Sequence, residues 1–172
     1  MSKKSKDLTA ALDALEETVE RQQASPDALL SELATLLLGF PRDSLQRPRA
    51  HRMLGVVYSQ MGREADALKE LREARALATA LSPPNYRELG NVARALSSMY
   101  GATGDDRLAR DELVAALTFT AIDGKPGELV RLIVDVAQGE LGAQRYENSA
   151  LLFDFLLTGN DKLDVPDYTV QS

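Results

Sequence analysis

The side chains of this chain that could perform chemistry are few and scattered. His51 is the single histidine and the one group that would exchange protons near neutral pH. The acid pairs at residues 16–17 and 105–106 are sequence neighbours on predicted helices, so their carboxylates point apart and cannot flank one substrate bond. The segments at 101–104 and 124–125 lack the glycine spacing and the following Ser or Thr of a phosphate-binding loop. No catalytic constellation emerges, and the sequence predicts a protein that is not an enzyme.

Composition argues against further classes of function. The chain has no cysteine and one histidine, which leaves no cluster of thiolates or imidazoles for zinc or iron, and we expect no metal or other cofactor. Twenty Lys and Arg against twenty-six Asp and Glu give a net charge of −6, which disfavours nucleic acid and anionic membranes as partners. No apolar run approaches the roughly 18 residues of a spanning helix, and the Lys-rich start leads into an amphipathic stretch, not an apolar signal core. We therefore expect a cytoplasmic protein.

Helical periodicity dominates the chain. From Tyr86 onward, apolar residues recur at the three- and four-residue spacing of one helical face, and glycine and proline separate such segments, for example at 82–84 and 123–127. No segment shows the alternation of a strand. The pattern predicts an all-α protein of about eight antiparallel helices. Their predicted ranges are Asp7–Gln23, Pro26–Leu38, Asp43–Met61, Arg63–Leu81, Asn85–Thr103, Asp105–Ala121, Gly127–Leu141 and Tyr146–Leu157.

The middle of the chain repeats itself after forty-two residues. Identical residue types recur in a single register, which is hard to obtain by chance and indicates stacked helical repeats. The matched pairs are Tyr58 with Tyr100, Gly62 with Gly104, Ala67 with Ala109, Leu71 with Leu113, and Ala74 with Ala116.

The first copy has the motif H-x-x-L-G-x-x-Y from His51 to Tyr58 and A-x-x-x-L from Ala67 to Leu71, which resembles the tetratricopeptide pattern W-x-x-L-G-x-x-Y…A-x-x-x-F. His51 takes the place of a buried aromatic, so the resemblance implies a packed core histidine. The second copy carries Ser97 where the first has glycine, and a third is recognisable in its second helix, at residues 145–153.

The resemblance implies a right-handed α-α superhelix of four hairpins that forms one solenoid over residues 1–172. In this interpretation residues 1–6 are a flexible start, 7–38 a capping hairpin, and 158–172 a tail; the repeat hairpins are 43–81, 85–121 and 127–157. Residues 7–23 carry apolar side chains on one face and Asp13, Glu16, Glu17 and Glu20 on the other, as a capping helix should. The spacing exceeds the usual repeat of about 34 residues and is similar to that of long-helix arrays in bacterial regulators of the maltose-activator type.

In such arrays the first helix of each hairpin lines the concave side, and there the predicted exposed face is mainly basic and amide. We predict that this face binds a peptide or helix of a partner protein, in a regulatory or assembly pathway, and that it favours acidic partners because guanidinium groups bind carboxylates in paired hydrogen bonds. The competing interpretation is an ordinary solvated face with i,i+4 ion pairs. The candidate residues are Arg49, Arg52, Ser59, Asn91, Arg94, Ser98, Arg131, Asp135 and Gln138.

The last predicted helix, Tyr146–Leu157, is apolar nearly all round and therefore needs cover on more than one face. The tail from Leu163 to Val170 could fold back over it; otherwise a second copy of the chain, a further repeat or a partner supplies the cover. A second hypothesis follows, in which the chain is a self-associating structural or sensor segment of a larger regulator and forms a homodimer through Leu151, Leu152 and Phe155. A third hypothesis is a receptor for a small signalling ligand in the groove.

Overall fold

The computed structural model describes residues 3–21, 23–124 and 126–142, and within these ranges it contains seven α-helices and no strand. The predicted all-α class is confirmed. The helices are α1 Lys3–Arg21, α2 Pro26–Gly39, α3 Arg47–Gln60, α4 Glu64–Ala80, α5 Tyr86–Thr103, α6 Asp106–Ile122 and α7 Pro126–Gly142. The predicted eighth helix, Tyr146–Leu157, lies outside the described residues, as do the interface residues Leu151, Leu152 and Phe155 and the third copy of the repeat.

The chain forms two compact units. Residues Met1–Asp123 make up the first, which contains α1 to α6, and Gly124–Ser172 the second, which contains α7. Within α7 the side chains of Leu132, Ile133 and Ala137 are buried, the spacing expected of one helical face.

Two helices begin where the sequence pattern did not place them. α1 begins at Lys3, before the predicted Asp7, since the Lys-Lys-Ser-Lys segment contains no helix breaker. α3 begins at Arg47, after the predicted Asp43. The reason is Pro48, whose missing N–H and rigid ring suit the first turn of a helix and would break a longer one. The Arg47 guanidinium donates to the carbonyl of Leu37 at 3.1 Å, which satisfies an acceptor in the last turn of α2.

Side chains cap the starts of α2 and α6. Ser25 accepts a hydrogen bond from the Ala28 N–H at 3.4 Å, with Pro26 in the first helical position. Asp105 accepts from the Leu108 N–H at 3.2 Å and so caps α6.

In the first unit, each helix packs against the next one from α1 to α6, and α3 also packs against α1 and α5. The first helices of the three hairpins, α1, α3 and α5, therefore lie side by side. No Cα atom of α4 comes within 8 Å of one in α2 or α6. The second helices are farther apart, and the Arg75 side chain spans the gap between α4 and α6 by pairing with both carboxylate oxygens of Glu112.

The apolar core has two clusters. One joins α1, α2 and α3 around the fully buried Leu12 and Leu33, and the other joins α4 and α5 around the fully buried Leu71 and Val92. Tyr58 packs against both clusters and makes the core continuous.

The forty-two-residue recurrence has a structural counterpart in two equivalent turns. Gly62 and Gly104 follow α3 and α5 with φ of +70° and +82°, a left-handed conformation that favours glycine. One residue further on, the backbone N–H of Arg63 donates to the Tyr58 carbonyl, and the backbone N–H of Asp105 donates to the Tyr100 carbonyl, both at 2.9 Å. The matched Tyr and Gly residues thus build the same helix end twice.

The second equivalence lies where the two helices of a hairpin cross. A methyl group added at Gly55 would lie 2.6 Å from Leu71 Cγ and 3.2 Å from the Ala67 carbonyl oxygen, so only glycine fits without movement. Forty-two residues later, the Ser97 hydroxyl donates to the Ala109 carbonyl at 2.8 Å. The side chain that replaces glycine therefore forms a hydrogen bond at this crossing.

None of the described helices is long and apolar enough to cross a membrane.

Replacement of Gly55 by alanine should lower the free energy of unfolding by about 1–3 kcal/mol, because overpacking against the buried Leu71 outweighs the better helix propensity of alanine. Gly101→Ala is the matched control, since a methyl group there meets nothing within 4 Å. It should leave stability unchanged or raise it by about 0.5–1 kcal/mol. Urea unfolding followed by circular dichroism measures both, and equal effects would contradict the close crossing.

Candidate functional site

An ion-pair network joins the three first helices α1, α3 and α5. On α1, Glu16 lies between two arginines of α3: Arg49 Nε donates to its Oε2 at 2.8 Å, and Arg52 Nη2 pairs with its Oε1. Arg49 Nη1 also lies 2.5 Å from Asp13 Oδ1, one turn earlier on α1. Arg52 Nε donates to Glu88 Oε1 on α5 at 2.6 Å. Arg52 thus has one carboxylate from each neighbouring first helix.

Helical spacing places these groups. Asp13 and Glu16 on α1 are three residues apart, as are Arg49 and Arg52 on α3, so each pair projects from one helix face and the two rows meet where the helices pack. Glu88 lies in the first turn of α5, and its N–H donates to the Asn85 capping side chain at 3.1 Å. The start of α5 therefore fixes the position of the second acid.

Burial makes this network different from a surface ion pair. The side chain of Arg52 is 11% exposed and that of Glu88 7%. Burial opposes ionisation of Glu16, but the nearby charges of Arg52 and Arg49 and their hydrogen bonds outweigh it and hold the pKa of Glu16 below its ordinary value. Burial likewise opposes the charge of Arg52, yet Glu88 and Glu16 outweigh it and raise its pKa, so the guanidinium stays charged.

The structure corrects the prediction that Arg52 is exposed on the concave face. Its guanidinium is buried between Glu16 and Glu88, and the side chain of Arg49 is 20% exposed and engaged by Glu16 and Asp13. Both arginines are held chiefly by acids of the chain itself. The competing interpretation of a solvated face with i,i+4 pairs does not describe them either, because their side chains are largely buried and their pairs join different helices.

Next to this network lies an open pocket of about 280 Å³, lined by Glu16, Arg52, Asn91, Arg94 and Ala95. It brings together three of the predicted binding residues, Arg52, Asn91 and Arg94. Within the described part of the chain, the side chains of Asn91 and Arg94 have no hydrogen bond or ion pair, and Arg94 is exposed. The pocket thus offers an unpaired guanidinium and an unpaired amide.

The other predicted binding residues are not in this pocket. Ser59 is half-buried on α3, and Ser98 is exposed on α5, one turn beyond Arg94. Arg131 and Gln138 are exposed on α7, in the second unit. The side chain of Asp135 lies outside the described residues.

Arg52 and Arg94 occupy matched positions of the repeat but differ in their ion pairing. Arg52 and Arg94 are forty-two residues apart, as are Arg49 and Asn91, so they occupy matched positions on α3 and α5. On α3 both members are paired with acids, whereas on α5 neither Asn91 nor Arg94 has such a partner among the described residues. The matched positions therefore form ion pairs between helices on α3, whereas on α5 their side chains can still contact a ligand.

Sequence reasoning missed three acids of the network: it assigned Glu16 and Asp13 to the outer polar face of a capping helix and singled out no role for Glu88. A signal existed for Glu16, which follows Leu15 and lies four residues after Leu12, at the edge of the buried stripe. Its spacing from Asp13 also matches that of the two arginines. No comparable local signal marks Glu88.

His51 lies outside this pocket. It is buried, as the family resemblance implied, and its Nδ1 lies 2.7 Å from Glu70 Oε2 on α4. Its Nε2 is buried and has no hydrogen-bond partner in the part of the chain that the structure describes. In the residues that the structure describes, no group of three or more His, Asp and Glu side chains is placed to hold a metal ion.

No family model matches the chain, and comparisons with curated proteins and with solved structures find no match either. A function can therefore be inferred only from the chemistry of the chain's own side chains.

Arg52→Ala should lower the free energy of unfolding by about 3–5 kcal/mol, because it leaves Glu16 and Glu88 without their shared counter-charge in a buried setting. Arg94→Ala, at the matched exposed position, should change it by less than about 0.5 kcal/mol. Denaturant unfolding of the two variants provides the test. If Arg52→Ala lowered the free energy of unfolding as little as Arg94→Ala is expected to, the network would not stabilise the fold.

The lowered pKa of Glu16 also predicts how stability depends on pH. Since its pKa is lower in the folded state, its contribution is fully present above the unfolded pKa, near 4.5, and is lost as pH falls through the folded value. The difference in unfolding free energy between the wild type and Glu16→Gln should therefore shrink from pH 7 toward pH 3. Glu17→Gln, at an exposed position on the same helix, is the control and should show a smaller change. A difference for Glu16→Gln that is independent of pH would count against the network.

Proposed function

We propose that the chain is a peptide-binding helical-repeat module of the tetratricopeptide type, whose working surface is the face formed by α1, α3 and α5. The assignment to this type is supported by the two equivalent turns at Gly62 and Gly104 and by the matched crossings at Gly55 and Ser97. A right-handed superhelix is part of the same proposal. The packing order, in which each first helix contacts the previous one, also fits such an array.

The single observation that carries the binding proposal is the pairing state of the matched arginines. Arg52 is held by Glu16 and Glu88, so its main role is to join the three helices into a platform. Arg94 projects into the adjacent pocket without an ion-pair partner in the described chain. An exposed, unpaired guanidinium beside an unpaired amide is a suitable docking group for a partner's carboxylate.

We propose a smaller surface for the partner. Asn91, Arg94 and Ser98 recur at three- and four-residue spacing along one face of α5 and form a polar row, of which Asn91 and Arg94 line the pocket. We place the main contacts of an acidic peptide on this row. Asn91 can bond to peptide backbone, since its amide both donates and accepts.

Arg94→Glu should abolish recognition of acidic peptides, because a repulsive charge replaces the docking group. A charge-assisted hydrogen bond contributes about 1.5–3 kcal/mol, so we expect affinity to fall about 10- to 100-fold or more. The measurement selects peptides from a displayed random library with the wild-type chain and then determines their affinities by fluorescence anisotropy.

Arg72→Glu is the matched control, since Arg72 is exposed on α4, outside the pocket, and undergoes the same change of charge. Selected peptides should carry Asp or Glu and should bind this variant as they bind the wild type. Failure to enrich acidic peptides, or equal affinity for Arg94→Glu, would refute the proposed surface.

A further inference from the structure

The charges around the pocket are balanced. Glu16, Arg52 and Arg94 line it, Glu88 pairs with Arg52, and Arg49 pairs with Glu16 and Asp13. These six side chains carry three positive and three negative charges. A ligand with one charge of each sign preserves this balance and can use both the cationic and the anionic groups of the pocket.

Donors for a carboxylate remain on the cationic side. The hydrogen bonds of Arg52 run from Nε and Nη2, which leaves the two N–H groups of Nη1 for a ligand in the pocket. Arg94 and Asn91 add further donors, which have no partner among the described residues. Because Glu16 and Glu88 hold Arg52 in place, little conformational entropy is lost when it binds.

An acceptor for an ammonium group remains on the anionic side. Glu16 Oε2 accepts from Nε and Nη2 of Arg49, while its Oε1 accepts from Arg52. A carboxylate has about four acceptor sites, so Oε1 retains one. The side-chain carbonyl of Asn91 supplies a second acceptor.

The size of the pocket favours a small ligand. Its volume of about 280 Å³ lies just below the range of roughly 300–1,000 Å³ that is typical for drug-sized molecules. A ligand that joins a carboxylate and an ammonium group within this space must carry the two charges close together.

We propose that this pocket binds a zwitterion of the free α-amino acid class, with its carboxylate on Arg94, Asn91 and Arg52 Nη1 and its ammonium group on Glu16 Oε1. The site shares Arg94 and Asn91 with the proposed peptide surface, but its ligand is distinguishable, because an acidic peptide side chain carries no ammonium group. The two proposals therefore stand or fall on different ligands.

Titration calorimetry of the full chain with the proteinogenic amino acids, first in pools and then singly, tests the proposal. At least one amino acid should bind, and both its N-acetyl derivative and its carboxamide should bind at least tenfold more weakly, because each lacks one of the two charges. Arg94→Gln should weaken binding at least tenfold. Arg72→Gln, with the same change on the exposed face of α4, should leave it unchanged.

Glu16→Gln tests the ammonium contact directly: affinity for the amino acid should fall while affinity for its N-acetyl derivative does not. If that variant is unfolded by circular dichroism, the comparison of the amino acid with its derivatives on the wild type still decides. Absence of binding by every amino acid at millimolar concentration would overturn the proposal, as would full binding to Arg94→Gln. An N-acetyl derivative that binds as tightly as the amino acid would overturn the zwitterion and leave the acidic-peptide function intact.

Discussion

The buried guanidinium of Arg52 is the interaction on which the arrangement of the first unit depends. A charge that is 11% exposed is stable only when counter-charges surround it, and here one carboxylate comes from α1 and the other from α5. Apolar packing alone would allow the three first helices to slide past one another, since it is not directional. The hydrogen bonds of Arg52 fix their register and so fix the shape of the surface that they share.

The same constraint explains why the pocket is polar and small. Arg49 and Arg52 are held by Asp13, Glu16 and Glu88, so little of their charge reaches solvent. The unpaired polar groups come from α5, where Asn91 and Arg94 occupy the matched positions without acidic partners among the described residues. The forty-two-residue repeat therefore places one arginine with acidic partners and one without them, among the described residues, in equivalent positions.

Much of the fold could be predicted because it depends on local patterns. Helical periodicity and the glycine and proline breaks located α2, α4, α5 and α6 to within about two residues. The errors also have local causes: Pro48 delays the start of α3, and the missing helix breaker lets α1 begin at Lys3. The forty-two-residue spacing predicted the equivalent turns at Gly62 and Gly104, because a glycine at the end of a helix readily adopts the left-handed conformation that ends it.

The sequence by itself determined the helical class and the candidate residues on the first helices, and its resemblance to the tetratricopeptide pattern implied the buried place of His51. Only the tertiary structure decided which of those candidates are available, because an ion pair between Arg52 and Glu88 joins residues thirty-six positions apart and depends on how α3 and α5 pack. Helix periodicity reports which face a side chain occupies but not which charge lies opposite it. Arg52 and Arg94 therefore look alike in the sequence and differ in the folded chain.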